Sequence, residues 1–539
     1  MQIFEGTGVY SGIAIGKIAV LEKDVETVKR REIDNPETEW QRFEDAVKVA
    51  TQELDLLYEK ALTQVGEENA VLFEIHKMML FDNDFQSSIK AIIFDESVSS
   101  EWAVAKTSET LQDKFSKMDT DYMQARASDV KDISERLIRI LTGTSEKIES
   151  FREPVILYAD DLAPSETIKL DKSKILAFVT EKGSKNSHTA ILARTMNIPA
   201  IIGVGLTTDL SGKMAIADGF SGKVYIDPEK DILDKMEEKL KEEKKKRELL
   251  KELKGKETKT LDGTKIKLFA NIGNVSDLDQ AIENDAEGIG LFRSEFIFLE
   301  NNRLPTEDEQ FEIYKTVAQK MNEKVVIIRT LDIGADKNAE YLGLLREDNP
   351  ALGLRGIRLC LEHPEIFKTQ IRAILRASVF GNIWVMYPMI TSLSEIKKIK
   401  DILKDAENEL KEEGFAYKIP PQGIMIETPA AAILSDVLSK EVDFFSIGTN
   451  DLSQYALAID RQNPAIDKYF DPHSEAILRL IEMTVKNAKK EGIFVGICGE
   501  LGGDLTLTEW FLKIGADEIS TSSPNILPLK KHIREIFLK

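Results

Sequence analysis

Histidine is scarce in this chain, five in 539 residues, and His188 stands in the stretch TEKGSKNSHTAILARTMNIPAIIG at residues 180–203. The apolar run before it, KILAFVT (174–180), reads as a buried strand, and a second apolar run begins after Pro199. His188 is therefore expected in a strand-to-helix loop, at the start of a helix. There the macrodipole and the free backbone N–H groups favour a neutral imidazole and stabilise negative charge on an arriving phosphoryl group. A neutral ring nitrogen is a competent nucleophile. The plainer alternative is a capping or surface histidine.

A second set of polar residues lies far along the chain. Arg293, Arg329, Glu427, Asn450, Asp451 and Cys498 each fall at or just past the end of a strand-like segment. Two arginines from neighbouring strands suit a phosphate or a carboxylate, because the planar guanidinium binds such groups bidentately. Glu427 and Asp451 are hard oxygen ligands, and two carboxylates with the remaining positions left to substrate and water suit Mg²⁺. Arg461, in AIDRQNP, follows Asp451 by ten residues and is a further anion clamp. Cys498, in GICGE, is either a small buried residue or a proton donor. The competing structural reading is an ordinary salt-bridge network between these arginines and acids. Nucleotide motifs are missing: GIAIGK has only three residues between its glycines and no Ser or Thr after it, and no G-x-G-x-x-G follows a strand. Any phosphoryl donor is then the small anion bound by the arginines.

These residues need elements to hold them. Residues 1–25 are strand-like and glycine-punctuated, 26–147 carry helical periodicity with hardly any Gly or Pro, and 148–228 return to a strand, loop and helix pattern. An α/β domain with a helical domain inserted in it is expected. Residues 229–256 read as a charge-dense helical linker. From 257 to 539, eight strand candidates alternate with helical patterns: IKLFAN, EGIGLFR, KVVIIRTLD, NIWVMYP, GIMIE, DFFSIGTND, IFVGICGE and DEISTSS. That pattern predicts a (β/α)₈ barrel of the TIM type. Barrel enzymes place their sites at the carboxyl ends of the strands, and five of these segments carry a residue named above at or near that end.

The totals exclude other classes. Lys and Arg number 72 against 93 Asp and Glu, a net charge of −21, which disfavours nucleic acid and anionic membrane and favours a basic macromolecular partner. Two cysteines, Cys360 and Cys498, make no disulfide framework, and no leader pattern precedes MQIFEGTGVY, so a cytoplasmic location is expected. The longest uncharged run, Ala377 to Ser394, is broken by Gly381-Asn382 and Pro388 and predicts no membrane insertion. Within the helical region, Val71, Leu72, Ile75, Met78 and Met79 fall on one side of a helix and Phe73, His76 and Leu80 on the other. One side is expected to face the helical core and the other to dock a partner, with Glu67, Glu68, Asp82 and Asp84 attracting a basic one.

The motifs SHTAILAR, DLAPSET, GIGLFRSEFIF, NPALGLRGIR, IMIETPAA, FSIGTNDLSQYALAIDRQNP and ICGELGGD occur in this order. Together they resemble the enzyme I family of the bacterial phosphoenolpyruvate-dependent sugar phosphotransferase system, over essentially the whole chain. The resemblance implies that His188 takes the phosphoryl group from phosphoenolpyruvate and passes it to the phosphocarrier protein HPr, and that the α/β domain swivels. It implies that Arg293, Arg329, Asn450, Asp451 and Arg461 hold phosphoenolpyruvate, with Arg355 in support, and that Glu427 and Asp451 hold Mg²⁺. Cys498 would protonate the enol carbon, Thr167 would orient the histidine ring, and the barrel would form a homodimer. The family usually reads Gly-Gly-Arg-Thr before Ser-His; here Gly183-Ser184-Lys185-Asn186 restricts the loop and replaces a fork-shaped donor. LDIGADK likewise stands where Gly-Gly is usual. Three alternatives compete with this reading. They are a phosphoenolpyruvate synthase or dikinase, which needs an ATP-binding domain; a metal-dependent lyase or aldolase, which leaves His188 idle; and a non-catalytic module of a signalling relay.

Overall fold

The structure is a computed structural model. It describes residues 1–21, 28–65, 67–117, 121–144, 151, 153–160, 162, 164–183, 190, 193, 198–206, 210–299, 303–334, 341, 347–460, 466 and 469–538. The chain forms two compact units, Met1–Lys245 and Lys246–Lys539.

The first unit is built on one mixed sheet. Its strands are β1 (Gln2–Glu5), β2 (Thr7–Tyr10), β3 (Ile13–Val20), β4 (Val155–Ala159), β5 (Ile175–Thr180), β6 (Ala200–Ile202), β7 (Met214–Asp218) and β8 (Lys223–Ile226). They lie in the order β1-β8-β7-β3-β4-β5-β6-β2. Strands β3 to β6 run parallel, and parallel neighbours need a crossover between them. The β3-to-β4 crossover carries the helices α1 (Pro36–Val65), α2 (Glu67–Leu80), α3 (Asn83–Glu96), α4 (Ser100–Ser116) and α5 (Asp121–Thr142). This explains the change of pattern in the sequence: β3 and β4 are adjacent, with Val20 opposite Tyr158, and the helical insertion grows from the connection between them. Strand β7, MAIAD, had no counterpart in the sequence reading; it is a short, almost wholly buried run without alternation. The next short helix, α6 (Pro164–Lys169), places Ile168 in the core of the helical bundle, and its Ser165 hydroxyl donates to Asp132 of α5 at 2.8 Å.

The helix Lys230–Lys251 crosses the boundary between the units and matches the charge-dense linker segment. In the second unit a closed barrel forms from eight parallel strands. These are β9 (Lys267–Ile272), β10 (Gly288–Arg293), β11 (Val325–Arg329), β12 (Ile383–Tyr387), β13 (Gln422–Ile426), β14 (Phe444–Gly448), β15 (Phe494–Cys498) and β16 (Glu518–Ser522). Six lie within the expected segments; β9 runs one residue past IKLFAN, to Ile272, and β13 begins one residue before GIMIE, at Gln422. β14 and β15 are shorter than read, because Gly448 and Cys498 end them and the residues after turn into a helix and a 3₁₀ turn.

Alternation along each strand sends one set of side chains out to the helices and the other into the barrel. Leu291, Ile327, Met386, Met425, Phe444 and Cys498 pack together inside. Trp384 touches the rings of Phe444 and Phe494, with centroids 5.0 and 5.3 Å apart, and these large rings fill the end opposite the carboxyl termini of the strands. The barrel is a packed core open to chemistry only at its rim. Among the described residues no helix is long and apolar enough to cross a membrane.

Candidate active site

Arg329 is the last residue of β11, and its register partner on β10 is Arg293. The Arg329 guanidinium is buried between two carboxylates, donating to Glu295 Oε1 at 2.8 Å and lying 3.0 Å from Asp332 Oδ2. Arg355 reaches the same Asp332 from the other side, with Nη2 at 2.9 Å and Nε at 3.3 Å. Burial alone would lower the pKa of both arginines, but the carboxylates around them raise it above its ordinary value, so both stay charged. Buried Arg329 Nε has no hydrogen-bond partner.

Glu427 follows β13 and is fully buried. Its Oε1 accepts the Met389 N–H at 2.6 Å, and Met389 holds a left-handed φ of 58°, rare for a residue with a side chain. Local strain of this kind persists only where the surroundings enforce it, and here it turns a backbone donor onto the carboxylate. Among the described residues, Glu427 Oε2 is buried without a partner. Burial, then the charges of Asp332 and Asp451, push the Glu427 carboxyl up to about 8, against the pull of Arg329. A divalent cation would relieve both the orphaned oxygen and the repulsion. Among the described residues no group of three or more His, Cys, Asp and Glu gathers as a metal cluster. Glu427 is a residue that could hold an ion such as Mg²⁺, which takes one or two carboxylates and fills its octahedron with water and substrate oxygens.

Asn450 and Asp451 lie in the first turn of the helix Thr449–Leu457, which begins where β14 stops. Asn450 Oδ1 accepts the Glu500 N–H at 2.8 Å, and the Thr449 hydroxyl donates to the Cys498 carbonyl at 2.9 Å. These bonds tie the loop after Cys498 to the loop after Gly448. Gly499 between them has a φ of 92°, and a Cβ there would run into Thr449 Oγ1 and Asn450 Oδ1. Cys498 is buried; burial pushes its thiol up to about 12, which the neighbouring Ser446 hydroxyl partly offsets. At neutral pH it is an S–H, a proton source and not a nucleophile.

Arg293, Arg329, Arg355, Glu427, Asn450, Asp451 and Cys498 thus come to one rim. His188 and Arg461 lie outside the described residues; Thr167 falls within α6, and its side chain lies outside them too. Sequence reasoning missed Glu295 and Asp332. Both stood in segments already singled out, GIGLFRSEFIF and KVVIIRTLD, and the signal was an acid two or three residues past an arginine-terminated strand. Arg329 makes close ion pairs with both of them.

Behind the arginines stands a buried amide. Gln370 Oε1 accepts the Leu331 N–H at 2.9 Å, and its Nε2 donates to Ser294 Oγ at 2.9 Å and Tyr314 OH at 3.0 Å. One side chain fixes the loops that follow β10 and β11. Gln370→Leu should destabilise the protein by about 1–3 kcal/mol, the cost of leaving buried polar groups unmet, read as a lower urea midpoint at unchanged slope. An unchanged midpoint would remove Gln370 from this role.

In the first unit α2 turns Phe73, His76 and Leu80 into the helical core and leaves Met78 71% exposed. His76 Nε2 lies 3.3 Å from Asp129 Oδ1.

Three family profiles match the chain: the N-terminal domain of phosphoenolpyruvate-utilising enzymes over residues 5–126, their mobile domain over 151–222, and their phosphoenolpyruvate-binding domain over 247–537. The phosphoenolpyruvate-protein phosphotransferase of Bacillus subtilis (strain 168) is 41% identical over 99% of this chain and 95% of its own length. Those of Bacillus sp. (strain S) and Geobacillus stearothermophilus are each 42% identical over 99% of this chain and 93% of theirs.

Proposed function

The chain belongs to the phosphoenolpyruvate-protein phosphotransferase family, and from that premise we propose the roles its residues take in moving a phosphoryl group from phosphoenolpyruvate to His188 and then to a histidine of the phosphocarrier HPr. This is the first step of phosphotransferase-system sugar uptake, and it releases pyruvate. The observation that carries the assignment of roles is the rim itself: a charged, buried arginine beside a carboxylate that resists ionisation, with a protonated thiol in the next strands.

Arg293 and Arg329 hold the phosphate and carboxylate groups of phosphoenolpyruvate as planar clamps, with Arg461 and Asn450 completing the grip and Arg355 keeping Asp332 in place. The His188 nitrogen attacks phosphorus in line; an N–P bond forms as the bond to the enol oxygen breaks. The arginines stabilise the negative charge that shifts onto that oxygen. Cys498 gives its proton to the methylene carbon of the enolate, which becomes pyruvate. Glu427 and Asp451 would hold Mg²⁺, whose contribution when bound is to offset charge on the transferring group. Thr167 orients the imidazole.

The helical insertion, residues 26–147, receives the phosphocarrier. The exposed side of α2 and the acidic residues Glu67, Glu68, Asp82 and Asp84 favour a basic surface, and the chain's net charge of −21 acts in the same sense. The protein works in the cytoplasm as a homodimer paired through the barrel. Incubation with phosphoenolpyruvate labelled on phosphorus should give acid-labile, base-stable protein label that moves to added phosphocarrier, less readily as salt rises. Pyruvate-derived products without label would favour a lyase, and no reaction a non-catalytic module.

A further inference from the structure

Beneath Cys498 the barrel holds a carboxyl group that the roles above do not use. Ser446 of β14 pairs with Gly496 of β15, and Gly496 with Glu518 of β16, so the three form one row across neighbouring strands. The row faces the barrel interior, because Cys498 lies two residues beyond Gly496 on the same face and belongs to the interior cluster. Gly496 contributes no side chain, and the Glu518 carboxyl fills the space. A Cβ built on Gly496 would coincide with Glu518 Oε2, and one built on Gly290 would press on Glu518 Oε1 and Ser520 Oγ. The carboxyl therefore spans the interior from Gly290 to Gly496, the register neighbour of Ser446.

Glu518 is 1% exposed, and among the described residues neither of its oxygens makes a close hydrogen bond. Ser446 is likewise buried, and its hydroxyl stands beside the Cys498 thiol. Burial raises the Glu518 carboxyl well above its ordinary range, partly offset by the Ser520 hydroxyl and reinforced by the Asp517 charge, which favours its protonated form. A lone carboxylic acid costs stability in a position that an apolar residue would fill more cheaply. The aromatic rings of Trp384, Phe444 and Phe494 occupy the far end of the barrel, so the polar row opens toward the rim. Asn271, opposite Ser522 and half-buried on the inward face of β9, lies nearer that rim, and among the described residues its Oδ1 has no partner.

We propose that Glu518 is the acid that recharges Cys498, passing its proton through the Ser446 hydroxyl. When the thiol gives its proton to carbon, a C–H bond forms, the S–H bond breaks and a thiolate remains. The Ser446 hydroxyl gives its proton to sulfur while taking the one from the Glu518 carboxyl. Water reaching the row past Asn271 reprotonates the carboxylate, so each turnover draws one proton from solvent. This rests on the role of Cys498 as the acid.

The test follows pyruvate by rapid quench, with phosphocarrier and a downstream acceptor in excess. Glu518→Gln keeps shape and removes the acid. It should release one pyruvate per subunit at the parental rate and then continue on the order of 10²-fold more slowly, the lower range of general acid catalysis. Ser446→Ala should show the same burst and slow phase, with a solvent deuterium effect confined to the slow phase. A merely structural role would scale burst and steady state together. If Glu518→Gln fails to fold, Ser446→Ala decides. Parental steady-state rates in both variants would overturn the relay while leaving Cys498 in place. Parental rates in Cys498→Ala as well would overturn the role of Cys498 itself.

Discussion

Cys498→Ala should still place phosphorus label on His188 in a first turnover, yet lose steady-state activity by about 10²–10⁴-fold, the range of a general acid, whereas His188→Ala should lose both. The two variants separate the halves of the reaction. Breaking the P–O bond needs the anion clamp and an in-line nitrogen, and the role proposed for Cys498 is part of neither. Converting the enolate to pyruvate needs a proton delivered to one face of a carbon, and the thiol is buried at the end of β15 with its pKa pushed up to about 12. Because that shift is upward, the neutral S–H persists through the whole working range and is lost only in strong alkali. Substrate labelled stereospecifically at the methylene carbon, turned over in deuterated water, gives the readout. Chiral pyruvate from Cys498→Ala at the parental rate would return Cys498 to a packing residue.

The parts of this site that were legible in the sequence are those fixed by local pattern. Eight apolar runs bounded by turns gave eight barrel strands, and the polar residue near the end of five of them marked the rim, because a parallel strand buried on both faces is otherwise apolar throughout. What stayed hidden depends on register between strands, which one sequence does not carry. Glu295 and Asp332 matter because they close on Arg329 from two different loops, and Gln370 because its amide reaches back from a helix to both of them. Glu518 is the second of two acidic residues that open DEISTSS. Only its pairing with Gly496 shows that it points inward, since a shift of one residue would turn it out among the helices. The helical insertion was legible for the opposite reason. A long stretch poor in Gly and Pro stands between two strands, and those strands proved to be neighbours in the sheet.

Glu427→Gln should make the metal-free protein more stable and the enzyme far slower. The Glu427 carboxyl rises from an ordinary 4.5 to about 8, first through burial and then through Asp332 and Asp451. A carboxyl raised on folding leaves stability intact below its unfolded value and removes it as pH climbs toward the folded one. In chelator the parent should therefore lose stability between pH 4.5 and about 8, and the variant, with no charge to bury, should keep it. The gap at alkaline pH is on the order of 1–3 kcal/mol, the cost of a buried polar group without a partner, and it should close at the acid end of the window. Divalent cation should restore the parent and leave the variant unmoved, because Gln offers a weaker oxygen ligand. Activity should move the other way. Charge stabilisation by a bound cation is worth several kcal/mol, so the variant's label transfer to His188 should fall on the order of 10³-fold or more. Its phosphohistidine, once formed, should still exchange with the phosphocarrier, since that transfer does not use the rim. Urea midpoints across pH, with and without Mg²⁺, check the first half, and rapid-quench labelling checks the second. Equal midpoints at alkaline pH would mean that the Oε2 of Glu427 is satisfied in solution, and full labelling activity in excess chelator would take the cation out of the reaction.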